Sequence, residues 1–336
     1  MERRKEGAFG MKGFLKKYFN IIITVALFIL IFLAGSIRYK GFASPQVFAN
    51  LFIDNAYLII VATGVTYVII SGGIDISLGS LVAFVCMLSA YLLKQGYNPY
   101  IVILIVLAIG TFGGYLMGCM IHYFNVQPFI ATLAGQFLYR GICYVISIDS
   151  ISISNPVYSA IANYQIRFAP KLYISVSVVI ALIVVLLAAF IGSYTKFGRW
   201  VYAVGGNEQS AELMGLPVAK IKTSVYAFSG FCGALGGVVF SFYTLSGYGL
   251  QNIGMEMDAI ASAVIGGTLL TGGVGNVIGT MFGVLIQGVI QTIIVFQGNL
   301  SSWWTKVAVA ALLCIFIILQ RLISLKSESL RGRSKT

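Results

Sequence analysis

The sequence predicts an all-α integral membrane protein with about ten transmembrane helices and an internal repeat that contains glycine-rich helix breaks. Three observations lead to this prediction. Of the 336 residues, 59% are hydrophobic and only 10% are charged, with a mean hydropathy of +0.93, whereas soluble domains carry about 25% charged residues. Long apolar stretches follow one another along almost the whole chain. The segment SGGIDISLGS at 71–80 also has a near copy, TGGVGNVIGT, at 271–280.

Ten stretches have the apolar character of a membrane-spanning helix, which needs about 20 residues. The stretches at 77–93 and 257–270 are the shortest of them. A transmembrane strand would alternate polar and apolar residues, and the run SVVIALIVVLLAAFIG does not alternate. Helices are therefore predicted at 20–37, 51–70, 77–93, 99–121, 129–148, 172–192, 223–245, 257–270, 276–296 and 304–322.

The placement of the basic residues predicts the orientation of these helices. The net charge is +12, and the segments 1–17, 193–222 and 321–336 hold six, four and five of the 22 Lys and Arg residues. Ten spans put all three segments on one side, and cytoplasmic flanks collect Lys and Arg. We therefore expect cytoplasmic basic tails at 1–19 and 323–336. The basic charge indicates the anionic headgroups of the lipid bilayer as its partner, and no nucleic acid.

The first apolar run has the features of a signal peptide, because it follows a basic segment and precedes small residues. Nine further spans follow it. We therefore interpret it as the uncleaved first helix of a transmembrane domain at 20–322. The chain starts at either Met1 or Met11.

Cysteine, histidine and phosphate-binding patterns give no sign of a metal, cofactor or nucleotide site. The five cysteines are widely spaced within apolar stretches, and His122 is the only histidine. The chain has no G-x-x-x-x-G-K-[ST] phosphate-binding loop. No nucleophile and base are clustered in the sequence. We therefore expect no cofactor and no catalytic site of its own.

The glycine-rich segment at 71–80 has two interpretations. In the first it is a capped turn between helices at the membrane surface, because glycine frees the backbone and Asp and Ser are good N-cap residues. In the second it is a helix break inside the membrane, placed in corresponding positions of two repeats as in many transporters. The two copies run parallel if ten spans are present and inverted if one is miscounted. The candidates for the translocation pathway are Ser71, Gly72, Gly73, Asp75 and Ser77 in the first copy and Gly272 and Gly273 in the second.

Arg140 is a further pathway candidate, because it falls inside a predicted span. A buried arginine is costly and is by default a functional residue with a partner. Asp75, Asp258 or a carbonyl group of the SGG turn is the expected partner, and Asp258 joins the pathway candidates. Alternatively, the arginine side chain extends to the membrane interface from near a helix end.

The segment 193–222 contains a predicted short helix in NEQSAELMG. Asn207 is suited to cap this helix and Gly215 to end it. A short helix on the cytoplasmic side is a good docking element for a partner protein. The alternative is an ordinary solvated connector.

Four segments, SGGIDISLGS, FIATLAGQFLYRG, YAVGGNEQSAELMG and DAIASAVIGGTLLTGGVG, in combination resemble the permease subunits of sugar ABC importers of the ribose and galactose class. The resemblance runs from about residue 42 to about residue 322. GFASPQVFANLFIDNA, SISISNPVY and LSSWWTK most resemble one of the two paired permeases of the galactofuranose importer. The resemblance implies a multi-pass protein of the bacterial inner membrane that passes a monosaccharide inward.

The same resemblance implies a set of partners. These are an ATPase subunit of the ABC type, a second permease subunit in a homodimer or heterodimer, and an extracytoplasmic sugar-binding protein. It also implies that the helix at 207–215 enters a groove on the ATPase. The chain departs from the Glu-Ala-Ala loop of the wider importer superfamily, since it has Ser-Ala-Glu at 210–212. The implied coupling residues are Asn207, Glu208, Ala211, Glu212 and Gly215.

Two other functions compete with this one. An ion-coupled secondary sugar transporter usually buries several ionisable groups as relays, and acids are few here. Asp54, Asp75, Glu256 and Asp258 are the acids in or beside the predicted spans. A membrane-embedded enzyme is disfavoured, because no catalytic cluster is visible.

Overall fold

The computed structural model describes residues 21–169, 171–298, 301 and 303–333. The basic tail at 1–19 and the alternative starts Met1 and Met11 lie outside the described residues. The helices, in chain order, are α1 (Ile21–Arg38), α2 (Pro45–Ile70), α3 (Leu78–Lys94), α4 (Pro99–Tyr123), α5 (Pro128–Ile146), α6 (Pro156–Asn163), α7 (Val176–Tyr194), α8 (Lys196–Gly206), α9 (Glu208–Leu213), α10 (Val218–Thr244), α11 (Met255–Ile265), α12 (Val277–Gln297) and α13 (Trp303–Arg333).

The all-α membrane architecture predicted from the sequence is confirmed. Within the described residues, seven helices are long and apolar enough to cross a membrane, namely α1, α2, α4, α5, α7, α10 and α12. The apolar helix α3 has 17 residues, and α11 has 11. Each predicted stretch contains a helix, but these short helices do not meet the length of a full span. The number of about ten crossings therefore stays a prediction.

Short strands lie only in the connections of the described chain. β1 (Ile151–Ser152) pairs antiparallel with β4 (Ser246–Gly247), and β2 (Gln165–Ala169) pairs antiparallel with β3 (Leu172–Ser175). The β1–β4 pair joins the segment after α5 to the segment after α10. That second segment, 245–254, leads into the short helix α11.

The centre of the bundle consists of α2, α3, α10 and α12. In the most apolar window of α2, 83% of residues are buried, against 17% for α1 and 22% for α5 and α7. The peripheral helices therefore present apolar faces to lipid or to another subunit.

Glycines in α4 allow its backbone to touch that of α10. A Cβ atom on Gly114 would lie 2.3 Å from the carbonyl oxygen of Tyr226, and one on Gly118 would lie 2.8 Å from the Cα of Thr223. Side chains at these positions would therefore force the two helices apart. Close approach through small residues is the usual way in which helices associate in lipid.

Candidate functional site

The first glycine-rich segment interrupts the chain between α2 and α3. Gly72 has a left-handed backbone with φ of +84°, which glycine adopts without steric cost. The N–H groups of Gly72 and Gly73 donate to the carbonyl groups of Ile69 and Val68, at 2.9 and 3.0 Å. These bonds end α2 in the manner of a glycine C-terminal cap. The backbone then remains non-helical up to Ser77.

Asp75 is fully buried in this break and is held by hydroxyl and backbone donors. Its Oδ1 accepts from the backbone N–H and the hydroxyl of Ser77, at 3.0 and 2.7 Å. Its Oδ2 accepts from the hydroxyl of Ser229 on α10, at 2.8 Å. The predicted pairing of Asp75 with Arg140 is wrong, because three neutral donors occupy the carboxylate. Ser77 occupies the N-cap position of α3, but its hydroxyl donates to Asp75 and makes no capping bond, so its predicted capping role is also wrong.

The second glycine-rich segment lies directly against the first. Gly272 and Gly273 have φ of +83° and +73°, in the connection between α11 and α12. The N–H of Gly273 donates to the carbonyl oxygen of Ile70, the last residue of α2, at 2.8 Å. Asn276 then caps α12 by accepting from two backbone N–H groups. The two copies of the motif therefore meet in space through their backbones.

A third glycine pair, Gly205 and Gly206 at the end of α8, fits between these two turns. A Cβ atom on Gly205 would lie 1.7 Å from the carbonyl oxygen of Ile70 and 2.8 Å from the backbone nitrogen of Gly273. A Cβ atom on Gly272 would lie 2.7 Å from the carbonyl oxygen of Gly205. We call the three pairs, 72–73, 205–206 and 272–273, the glycine junction. The sequence analysis missed the middle pair, although it is visible as GG in YAVGGNEQ.

Two cavities flank the glycine junction. One of about 160 Å³ is lined by Ser71, Gly205, Glu208 and Tyr226 among others. A second of about 440 Å³ is lined by Gly273 and by Tyr202, whose hydroxyl donates to the carbonyl oxygen of Gly275 at 2.8 Å. The junction is thus bordered by free space, which would allow α8 to move relative to the two turns.

The segment after α8 forms the short helix that the sequence predicts. Asn207 caps α9, because its side-chain oxygen accepts from the N–H of Ser210 at 2.7 Å. Gly215 follows the helix with φ of +76°. Glu208 is exposed and forms an ion pair with Lys222 of α10, at 2.5 Å. This pair ties the start of α9 to the membrane-embedded bundle.

The exposed surface of α9 is partly apolar. Ala211 is buried, whereas the side chain of Leu213 is 90% exposed and that of Met214 is 68% exposed. Glu212 is exposed beside them. We call Glu212, Leu213 and Met214 the α9 tip. Large apolar side chains that are so exposed beside polar ones are typical of protein contact surfaces.

Arg140 donates its hydrogen bonds to backbone and forms no ion pair with an acid of the described residues. One of its guanidinium nitrogens donates to the carbonyl oxygens of Gly249 and Gln251, the latter at 2.9 Å. The predicted partners Asp75, Asp258 and the SGG turn are therefore wrong. The actual acceptors lie in the non-helical segment 245–254.

Asp258 also has a different partner from the one considered. Its carboxylate forms an ion pair with Lys306 of α13. Its neighbour Glu256, which was not among the predicted site residues, is 5% exposed and accepts from the Gln136 side chain of α5 at 3.3 Å. Glu256 could have been found in the sequence, because it is an acidic residue within an otherwise apolar segment that follows a non-helical stretch.

Comparison with known proteins identifies the family. Residues 47–318 match the family described as the branched-chain amino acid transport system permease component. The chain belongs to this family of transport permeases. No solved structure gives a significant match to it.

Curated relatives of this permease cover almost its whole length. The inner membrane ABC transporter permease protein YjfF of Escherichia coli K12 is 45% identical over 308 residues, which are 91% of this chain and 93% of that protein. The fructose import permease protein FruG of Bifidobacterium longum is 37% identical, with 90% of each chain covered. The ribose import permease protein RbsC of Haemophilus influenzae is 34% identical, with 90% of this chain and 93% of that protein covered.

The family assignment confirms the resemblance to ribose- and galactose-type permeases. Together with the seven apolar helices, it makes this permease a multi-pass protein of the plasma membrane. These relatives are named as permease proteins of transporters.

Proposed function

We propose that this permease forms the membrane pathway of an ABC importer and passes a monosaccharide inward, while a partner subunit hydrolyses ATP. Support comes from relatives whose names include fructose, ribose and D-allose transport, at 32–37% identity over about nine-tenths of this chain. The finer proposal is galactofuranose, which rests on the resemblance of segments such as LSSWWTK to one permease of that importer.

The observation that carries the proposal is the connection from the α9 tip to the glycine junction. The tip exposes Leu213 and Met214, and α8 places Gly205 against the last residue of α2 and against Gly273. A partner that moves the tip would therefore move the backbone at both helix breaks. Such a connection is what an importer needs if ATP is hydrolysed on another chain.

The proposal includes three partners. The ATPase subunit binds at the cytoplasmic α9 tip through Glu212 and at the adjoining Gly215, with Asn207, Glu208 and the buried Ala211 holding α9 in place. A second permease subunit, identical or homologous, completes the pathway, and an extracytoplasmic binding protein delivers the sugar. Both termini are cytoplasmic, in agreement with the basic segments.

Four pathway candidates have distinct roles in this proposal. Asp75 is enclosed by protein, and it stabilises the break without touching sugar. Gly72 and Gly273 transmit movement at the junction. Arg140 lies beside the discontinuous segment 245–254 and stays a pathway residue.

The test is capture of the ATPase subunit by variants of the α9 tip. Leu213→Asp and Glu212→Arg should abolish co-purification of the ATPase and ATP-driven uptake, because the tip is exposed and its docking surface is lost. The matched control is Gln209→Asp, an exposed residue of the same helix, which should retain both. Normal co-purification and uptake with Leu213→Asp and Glu212→Arg would reduce α8–α9 to a connector.

A further inference from the structure

The segment 245–254 and α11 together form a discontinuous membrane segment whose helix begins near mid-depth. The side chain of Gln287, the middle residue of α12, donates to the carbonyl oxygen of Asp258 in the first turn of α11, at 2.9 Å. Glu256 likewise contacts Gln136, near the middle of α5. Non-helical backbone at such depth occurs only where it is buried in protein or lines a water-filled cavity.

Two side chains of α5 hold this segment. Gln136 donates to Oε1 of Glu256 at 3.3 Å, and one turn further Arg140 donates to the carbonyl oxygens of Gly249 and Gln251. We call these two links the polar seam. Since Gln136 and Arg140 are four residues apart, they lie on one face of α5, and both links would break together if α5 moved away.

The polar seam is incompletely paired in the described structure. Oε2 of Glu256 is buried and has no hydrogen-bond partner, and the same holds for the side-chain nitrogen of Asn252. Glu256 is 5% exposed, so its unpaired oxygen costs free energy. Gly79 leaves room for the carboxylate in this position, since a Cβ atom there would lie 2.1 Å from Oε2. Gly79 belongs to the SGGIDISLGS motif.

We propose that the polar seam is a gate that selects sugars by hydrogen bonding to their hydroxyl groups. In this structure the seam is closed, with α5 bound to 249–256. When α5 separates from this segment, it releases a guanidinium group, two side-chain amides, a carboxylate and two peptide carbonyls. These groups are the donors and acceptors that neighbouring hydroxyls of a monosaccharide require. The unpaired oxygen of Glu256 and nitrogen of Asn252 then gain partners that they lack in the closed state.

This inference rests on the proposed function, because it assumes that a sugar passes between α5 and α11. A purely structural link between α5 and α11 is the competing explanation. The two differ in one respect. Loss of a purely structural link would affect every substrate equally. Loss of a gate that recognises hydroxyl groups would change the discrimination between a sugar and its deoxy analogue.

The experiment measures ATP-driven uptake by the permease reconstituted with its ATPase and binding-protein partners. The probes are D-ribose and D-galactose, each compared with its monodeoxy analogues. Because every variant uses the same binding protein, a change in the ratio of sugar to analogue arises in the permease. Gln136→Leu should lower the preference for one hydroxyl position by about two- to tenfold, the loss expected for one hydrogen bond between neutral groups. Phe137→Leu, an exposed neighbour on α5, should leave every ratio unchanged.

A second variant distinguishes an effect on selectivity from a loss of folding. The exchange of Gln136→Glu with Glu256→Gln keeps an amide–carboxylate pair and should fold, but it moves the carboxylate to α5 and should alter which hydroxyl is preferred. Uniform slowing of all sugars by Gln136→Leu, or an unchanged preference in the exchange variant, would overturn the gate. Absence of any monosaccharide uptake by the unmodified complex would instead count against the proposed function.

Discussion

Replacement of Gly205 by alanine tests the glycine junction most sharply. The new Cβ would lie 1.7 Å from the carbonyl oxygen of Ile70 and 2.8 Å from the backbone nitrogen of Gly273. Both are backbone atoms, so no rotamer change can relieve the contact. The backbones of α8 and α2 would have to separate by roughly 1.7 Å to reach ordinary van der Waals distance. That separation also threatens the bond between the N–H of Gly273 and the carbonyl of Ile70.

The expected loss in the free energy of unfolding follows from these effects. Overpacking typically costs about 1–3 kcal/mol, and the hydrogen bond contributes about 0.5–1.5 kcal/mol. Alanine in the last turn of α8 offsets this by stabilising the helix by up to about 1 kcal/mol relative to glycine. We therefore expect Gly205→Ala to lower the free energy of unfolding by about 1–3 kcal/mol.

The assay compares two neighbouring glycines. Unfolding in detergent and ATP-driven uptake are measured for Gly205→Ala and for Gly206→Ala, where a Cβ atom would have no atom within 4 Å. Gly205→Ala should lose stability and transport, and Gly206→Ala should keep both. Equal behaviour of the two variants would refute the role of the junction.

Two further predictions concern the buried acid and the orientation. Asp75→Asn should retain uptake and nearly all stability, because the amide oxygen can accept the bonds from Ser77, the amide nitrogen can donate to the Ser229 hydroxyl, and no cation contacts Asp75 among the described residues. Uptake lost at unchanged stability would show that the charge is needed. In a cysteine-free background, Ser154→Cys should react with an impermeant thiol reagent added outside sealed cells and Asn207→Cys should not, because the basic segment 193–222 is cytoplasmic; labelling of Asn207→Cys would contradict this topology.

The seven long helices could be predicted from the sequence because each is an apolar stretch of sufficient length, and this signal is local. The short helix α9 could also be predicted from a local signal, because Asn207 and Gly215 mark its ends. The glycine breaks were visible as repeated motifs. Their mutual contact was not visible, because Gly205, Ile70 and Gly273 are distant in the chain and become neighbours only through helix packing.

The partners of Arg140 show a different limit of sequence reasoning. Acidic residues stand out in an apolar chain, and they were therefore the natural partners to consider. Backbone carbonyls are present at every residue and carry no signal of their own. The actual acceptors at Gly249 and Gln251 are available because the segment 245–254 is not helical, which no single residue type announces. The contacts of Asp75 were not visible for the same reason, since ordinary serines satisfy its carboxylate.

The central claim is that this permease imports a monosaccharide with energy from ATP hydrolysed by another subunit. It is tested most directly in proteoliposomes that contain the permease, its ATPase and its binding protein. We predict accumulation of a monosaccharide that requires hydrolysable ATP and persists when proton and sodium gradients are collapsed. Accumulation that depends on an ion gradient and not on ATP, or ATP-driven accumulation of L-leucine and of no monosaccharide, would contradict the account.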